Sequence, residues 1–338
     1  MFAYTEALME SGQLFELRRR TFDTPHFRGM EFIEVESKTI LNKVPGNSLP
    51  FNWTINAYRG CQHACSMCFA RTTHTYMDMN AGKDFETKIV VKVNAPQLLR
   101  KELRAKRWMG ESIAMGTATD PYQRAEGKYK LTRDIIQTLI EYRNPFSILT
   151  KGTLILRDID LLIEAANVTD VTTAFSIATL DEEVARKAEP GAPKPRKRME
   201  AVAKLNHAGI PCGVLIGAVL PGISDGIDQL RDVVTAAVDA RATHIHPILL
   251  HLRPGVREVY MEWLAETYPQ LVPRYEDMYK GSYASRAHRA ALSDNVHEIM
   301  RSLPAKARRS STDHRRKSTA THARAERERL ANEQLTLL

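Results

Sequence analysis

Past residue 50 the chain alternates short apolar runs with longer segments whose apolar positions recur every three or four residues. The runs Phe51–Tyr58, Ser112–Gly116, Phe146–Thr150, Val171–Ile177, Gly213–Leu220 and His244–Leu250 read as strands. The segments Ala95–Trp108, Leu131–Tyr142, Asp158–Ala166, Arg196–Ala208 and Asp225–Ala240 read as amphipathic helices. Thr132 and Asp158 stand near helix starts, and Gly209 lies just beyond a helix end. Repeated strand–helix alternation predicts parallel strands joined by right-handed crossovers. Six such units are too few for a closed eight-fold barrel. The expected α/β fold is therefore an open (β/α)6 barrel or a doubly wound sheet. In either, chemistry gathers at the C-terminal ends of the strands.

The flanks read differently. Tyr4–Arg20 suits a short helix, and Glu31–Val44 alternates like a hairpin. Residues 256–300 are helical in pattern, with Trp263, Tyr268, Tyr275 and Tyr279 expected to pack on the core. The expected organisation is an N-terminal extension (1–49), a core (50–255), a helical C-terminal segment (256–303) and a tail (304–338).

Composition narrows the possibilities. Hydrophobic residues at 43% and charged residues at 26% exclude disorder across the whole chain. The longest apolar stretch, Ile210–Leu220, is shorter than the roughly 20 residues a bilayer requires. The opening residues lack the order of a secretory signal, and four cysteines make no disulfide framework. A reducing cytoplasm is the expected location. Of the net charge of +8, residues 301–329 carry +7, from 10 basic and 3 acidic side chains. That segment has one large apolar residue, Leu303, and is expected to be disordered or loosely helical. A cationic arm of this kind can hold a nucleic-acid backbone without reading its sequence, or it can simply keep the chain soluble.

Three of the four cysteines fall within eight positions, in NAYRGCQHACSMCFAR. Cys61, Cys65 and Cys68 follow the first strand in a C-x3-C-x2-C spacing, on a loop entered through Gly60. Thiolates this close can converge on a soft metal centre. Zinc would require a fourth ligand, and no second cysteine pair exists. His63 lies between the thiols and is expected to point away. Cys212 precedes the fifth strand, so it should sit at the opposite end of the sheet, roughly 20 Å away at 3.3 Å per residue. Three cysteines without a fourth describe a 4Fe–4S cluster with one open iron, whereas electron-transfer clusters use four. An open iron can chelate S-adenosylmethionine for reductive cleavage. A zinc site completed by another residue, and a structural cluster in a non-enzymatic nucleic-acid-binding protein, are the alternatives.

The stretch resembles the signature of the radical S-adenosylmethionine superfamily. From Leu41 to about Leu250 the chain further resembles the spore photoproduct lyase-like branch, often labelled "DNA repair photolyase". The blocks that carry this resemblance are NAYRGCQHACSMCFARTTHTY, DFETKIVVKVNAPQLLRKEL, GTATDPYQRAE, LTRDI, ILTKGTLILRDIDLL and AEPGAPKPRKRMEAVAKLNHAGIP. The resemblance implies a partial (β/α)6 barrel with an N-terminal extension and a helical C-terminal segment. It implies a lyase-like enzyme using a 4Fe–4S cluster on Cys61, Cys65 and Cys68. S-adenosylmethionine would be touched by Thr119, Lys151 and Ser176. It would be cleaved to a 5′-deoxyadenosyl radical that takes hydrogen from an unidentified substrate, with nucleic acid the candidate. A reductase, flavodoxin- or ferredoxin-type electron donor is implied as partner.

Two positions depart from the pattern. Met67 stands where an aromatic residue is common, and a thioether still offers apolar contact. Thr117 stands where spore photoproduct lyases carry a cysteine hydrogen donor. A threonine O–H is too strong to donate a hydrogen atom to a carbon radical, so thymine-dimer reversal by that route is not expected. Asp120, Tyr122 and Glu126 lie in the loop after the second strand, and Tyr122 is the candidate hydrogen relay. Glu189 and Arg198 frame a proline-rich segment and read as a structural ion pair. His244 and His246 share one face of the sixth strand, near His251. His74 and Tyr76 could cover the cluster from solvent.

Overall fold

The computed structural model describes residues 18–46, 49 and 51–304. Six parallel strands form the body of a seven-stranded sheet. In chain order they are β4 (Trp53–Ile55), β7 (Ile113–Met115), β8 (Phe146–Thr150), β9 (Val171–Ser176), β10 (Cys212–Val219) and β11 (Ile245–Leu249). β3 (Leu41–Lys43) adds antiparallel to β4, so the sheet runs β11-β10-β9-β8-β7-β4-β3 without closing. The expected strands are present in parallel order, except that Phe51–Tyr58 divides into Trp53–Ile55 in this sheet and Tyr58–Arg59 in another.

Helices cover one face of this sheet. Helix Leu131–Glu141 buries Leu131, Ile135, Ile136 and Leu139, the stripe its spacing dictates. Helix Ile227–Asp239 buries Leu230, Val233, Val234, Ala237 and Val238 in the same manner. Each buried aliphatic side chain contributes about 1.5–3 kcal/mol relative to exposure, so these stripes rather than helix propensity fix the layer. C-terminal helix Arg286–Ser302 packs on helix Ile227–Asp239 and β11. Tyr275 and Tyr279 are fully buried, and Trp263 and Tyr268 pack against the core, as their pattern predicts.

The N-terminal region differs from the expected hairpin. β2 (Glu31–Val35) pairs antiparallel with β1 (Arg18–Arg20) and parallel with β6 (Lys88–Lys92), while β3 joins the other sheet. β5 (Tyr58–Arg59) completes a second, four-stranded sheet in the order β1-β2-β6-β5. The segment between β2 and β3 is captured by side chains instead of turning back. The Glu102 carboxylate accepts from the Ile40 and Leu41 N–H groups at 2.9 and 2.8 Å, and Asn94 bonds both polar groups of the Ser37 backbone. Of the helix expected over Tyr4–Arg20, only Arg18–Arg20 are described, and they are strand; the basic tail beyond residue 304 lies outside the described residues. No helix among the described residues is long and apolar enough to cross a membrane.

Cys212 opens β10 and is fully buried at the N-terminal end of the sheet, its thiol pushed by burial up to about 12. It acts as a small apolar side chain. Cys212→Ala is expected to leave the iron content of the reconstituted protein unchanged and to cost about 1 kcal/mol of stability, measurable by denaturant titration.

Candidate active site

The cysteine loop leaves β5 rather than the barrel strand itself, so the small sheet aims it across the C-terminal strand ends. Gly60 makes the entry, with φ +82°. A Cβ there would lie 2.8 Å from the Phe85 carbonyl oxygen and 2.9 Å from the His74 ring, so only glycine fits. The Cys61 N–H donates to Phe85 O at 2.9 Å. Arg71, 1% exposed, holds the loop from beneath: Nε and Nη2 donate to Cys65 O at 3.0 and 2.8 Å, and Nη1 donates to Ala81 O and Gly82 O at 3.0 Å. Nη2 also pairs with Glu86.

Cys61 and Cys65 are buried and Cys68 is half-buried. Burial pushes all three thiols up; at Cys61 the neighbouring charges of Asp120, Cys65 and Cys68 add to this. Free thiols here stay protonated, and a thiophilic metal would take the place of the protons. Among the described residues, no group of three His, Cys, Asp or Glu side chains is set to hold a single metal ion. Three soft thiol donors with no fourth cysteine beside them match a cluster that takes three cysteines, and fall short of the four ligands of a structural zinc site.

Two loops wall the cysteines. After β7, the Thr119 hydroxyl donates to Gly60 O at 2.7 Å and accepts from Gln123 Nε2 at 2.8 Å; Gln123 also donates to Gly60 O at 3.0 Å. Asp120 lies 3.2 Å from His63 Nδ1 and accepts from the Tyr122 N–H, the Thr150 hydroxyl and the Lys151 N–H at 2.8, 2.6 and 2.7 Å. Burial pushes the Asp120 carboxyl up, but His63 and these donors outweigh it and hold the carboxyl below its ordinary value. On the far side, the Ser66 N–H donates to Ala188 O at 2.9 Å and the Gly191 N–H to His63 O at 3.0 Å. A Cβ on Gly191 would lie 1.9 Å from Gln62 O, so the two loops meet backbone to backbone.

Lys151 follows β8 and Ser176 ends β9. Lys151 Nζ donates to Ser176 Oγ at 2.8 Å and to Glu189 Oε1 at 2.5 Å. The Ser176 hydroxyl in turn donates to Gly217 O at 2.6 Å. Glu189 is not a surface pair partner. It is 4% exposed, and Arg198 at 1% exposure donates to its Oε2 at 2.6 Å. Burial raises the Glu189 carboxyl, but Arg198 and Lys151 more than offset it and bring it down to about 2. The Glu189–Arg198 pair expected from the sequence is present, and what stayed hidden is Lys151, 38 positions away, joining it.

Other expected residues fall elsewhere. Tyr122 is buried, and its hydroxyl lies among Asp158, Glu126 and Arg157. That is where the structure places the residue expected as hydrogen relay. Glu126 is a buried hub: it accepts from the Tyr58 hydroxyl at 2.5 Å, the Thr132 N–H at 2.9 Å and Arg157 at 2.7 Å. His74 packs edge-on against Phe85 beneath the loop, whereas Tyr76 is 81% exposed and covers nothing. Thr117 meets Asn56 Oδ1 at 3.4 Å. Val214 and Ile216 bury against helices, so Leu215 faces the barrel interior; register places Ser176, Leu215 and His246 in line on that interior face. His244 shares the face and lies over Gly213.

Comparison with known proteins agrees with this geometry. An uncharacterized protein of Mycobacterium tuberculosis is 45% identical over 279 residues, 82% of either chain. Another, of Methanocaldococcus jannaschii, is 28% identical over 281 residues, 82% of this chain and 95% of its own. A spore photoproduct lyase mutant with bound AdoMet and dinucleoside spore photoproduct superposes with a TM-score of 0.62 at 15% identity, covering 85% of this chain and 84% of that one. At that identity the likeness speaks for the fold. Residues 55–234 match the Radical SAM superfamily. With its open parallel barrel and its triad of thiols at the strand ends, the chain belongs to the radical SAM superfamily of enzymes, which implies a 4Fe–4S cluster and S-adenosylmethionine.

Proposed function

We propose that Cys61, Cys65 and Cys68 each ligate one iron of a 4Fe–4S cluster, and that Lys151, Ser176 and Thr119 line the place of S-adenosylmethionine beside it. When bound, this pair supplies one electron to the sulfonium and yields a 5′-deoxyadenosyl radical that abstracts hydrogen from substrate. The chain's own residues bind and orient. Lys151 offers an ammonium for the cofactor carboxylate. Ser176 offers hydroxyl lone pairs, and Thr119 holds the loop entry with its hydroxyl. The observation that carries this reading is the convergence of two buried cysteines and one half-buried one, with no fourth cysteine beside them, near the strand end that presents Lys151.

The substrate enters the barrel interior, where Ser176, Leu215 and His246 share a face, and nucleic acid is the candidate class. Its support is the basic tail and the dinucleoside held by the similar lyase. The enzyme requires a reductant, for which a reductase, flavodoxin- or ferredoxin-type donor is proposed, and the proposed location is the cytoplasm, where cysteines stay reduced. The alternative of a non-enzymatic binder with a structural cluster makes no 5′-deoxyadenosine. Incubation of the reduced holoprotein with S-adenosylmethionine and deuterated oligonucleotides is expected to place deuterium in the released 5′-deoxyadenosine. Release without deuterium would reject nucleic acid as the substrate class, and no release at all would reject the enzyme reading.

A further inference from the structure

The buried ion cluster behind the cysteine loop does more than hold two segments together. Lys151 has three N–H donors, and among the described residues two are used, one on Ser176 Oγ and one on Glu189 Oε1. Glu189 cannot follow the lysine if it moves. Its second oxygen is bound by Arg198, which is itself tied by Nη1 to Ser176 O at 2.9 Å and by Nε to Pro193 O at 2.7 Å. The same segment is fastened to the cysteine loop by the Ala188 and Gly191 backbone bonds. Lys151 therefore sits on a two-point mount, its amine fixed in place with one donor left over.

We propose that Glu189 is a positioning residue for S-adenosylmethionine: anchored by Arg198, it aims the free N–H of Lys151 at the carboxylate of the cofactor's methionine end. This rests on the placement of that cofactor beside the cysteine loop. Without Glu189 the lysine keeps its charge but loses its direction, so affinity falls although the group that touches the cofactor remains.

The test is equilibrium dialysis of S-adenosylmethionine against the anaerobically reconstituted holoprotein, with iron and sulfide content and thermal unfolding measured on each variant. Glu189→Gln is expected to bind the cofactor about tenfold or more weakly, the usual size of an outer-shell loss, with cluster content unchanged. Lys151→Met should bind at least as weakly, and the double variant no worse than Lys151→Met alone, because both changes remove one interaction. Glu189→Asp, which keeps the charge, should recover part of the affinity, and it serves as the measured variant should Glu189→Gln fail to fold. In that case an affinity for Glu189→Asp equal to that of the unchanged protein overturns the proposal. Glu189→Gln binding within twofold of the unchanged protein, or losses that multiply in the double variant, overturns it as well. If the unchanged holoprotein itself binds no S-adenosylmethionine, it is the assignment of the site that fails.

Discussion

Cys65→Ala, reconstituted anaerobically with iron, sulfide and a reductant, is expected to release no 5′-deoxyadenosine above a protein-free control and to lose the brown absorbance of the cluster. Cys65 lies at the centre of the three-thiol loop, with Arg71 bound to its carbonyl and the Glu189 carboxylate acting on its thiol. Removing its sulfur leaves two thiols for a cluster that already lacks a fourth. Cys212→Ala is the matched control, since it removes a buried thiol at the far end of the sheet. Nucleoside release by Cys65→Ala equal to that of the unchanged protein would show that another centre performs the chemistry. A colourless reconstituted protein carrying one zinc per chain would instead support the zinc alternative.

The largest expected effect on stability comes from Arg71. Arg71→Met removes the donors to Cys65 O, Ala81 O and Gly82 O, leaves Glu86 without its partner, and puts an apolar chain where a guanidinium lay over the Phe85 ring. Hydrogen bonds from a charged donor contribute about 1.5–3 kcal/mol each, so a loss on the order of 3 kcal/mol is expected even after the loop relaxes. The melting temperature should fall, and cluster loading should fall with it, because the carbonyls that Arg71 collects define the loop. Arg71→Lys keeps the charge but not the planar fork, and should recover only part of each. Unchanged iron content in a folded Arg71→Met protein would show that the loop keeps its shape without the guanidinium.

Much of this was legible before any coordinates. The six parallel strands follow from short apolar runs between amphipathic segments, and those patterns report burial directly. The cysteine triplet needed only spacing. What stayed hidden was the product of long-range convergence. β6, the run KIVVK, is short and lies between helical segments, and nothing local says that it pairs with β2 and β5 to carry the loop. Arg71 reads as an ordinary surface arginine until the fold wraps carbonyls around it. Glu189 and Arg198 were visible as a pair, but their burial and their link to Lys151 depend on where β8 ends. Tyr122 shows the converse: its loop reaches the active face, yet its hydroxyl lies among Asp158, Glu126 and Arg157.

The backbone bonds from Ser66 to Ala188 and from Gly191 to His63 have a consequence for how the protein is made. The mould for the inorganic core is cast from both halves of the chain, and its second half emerges from the ribosome more than a hundred residues after the cysteines. Until then the thiols stand on a half-built cradle, open to oxidation and to stray ions. A chain cut short before residue 188 would carry the full three-cysteine signature without the backbone partners that close its cradle, and is expected to hold less iron on reconstitution.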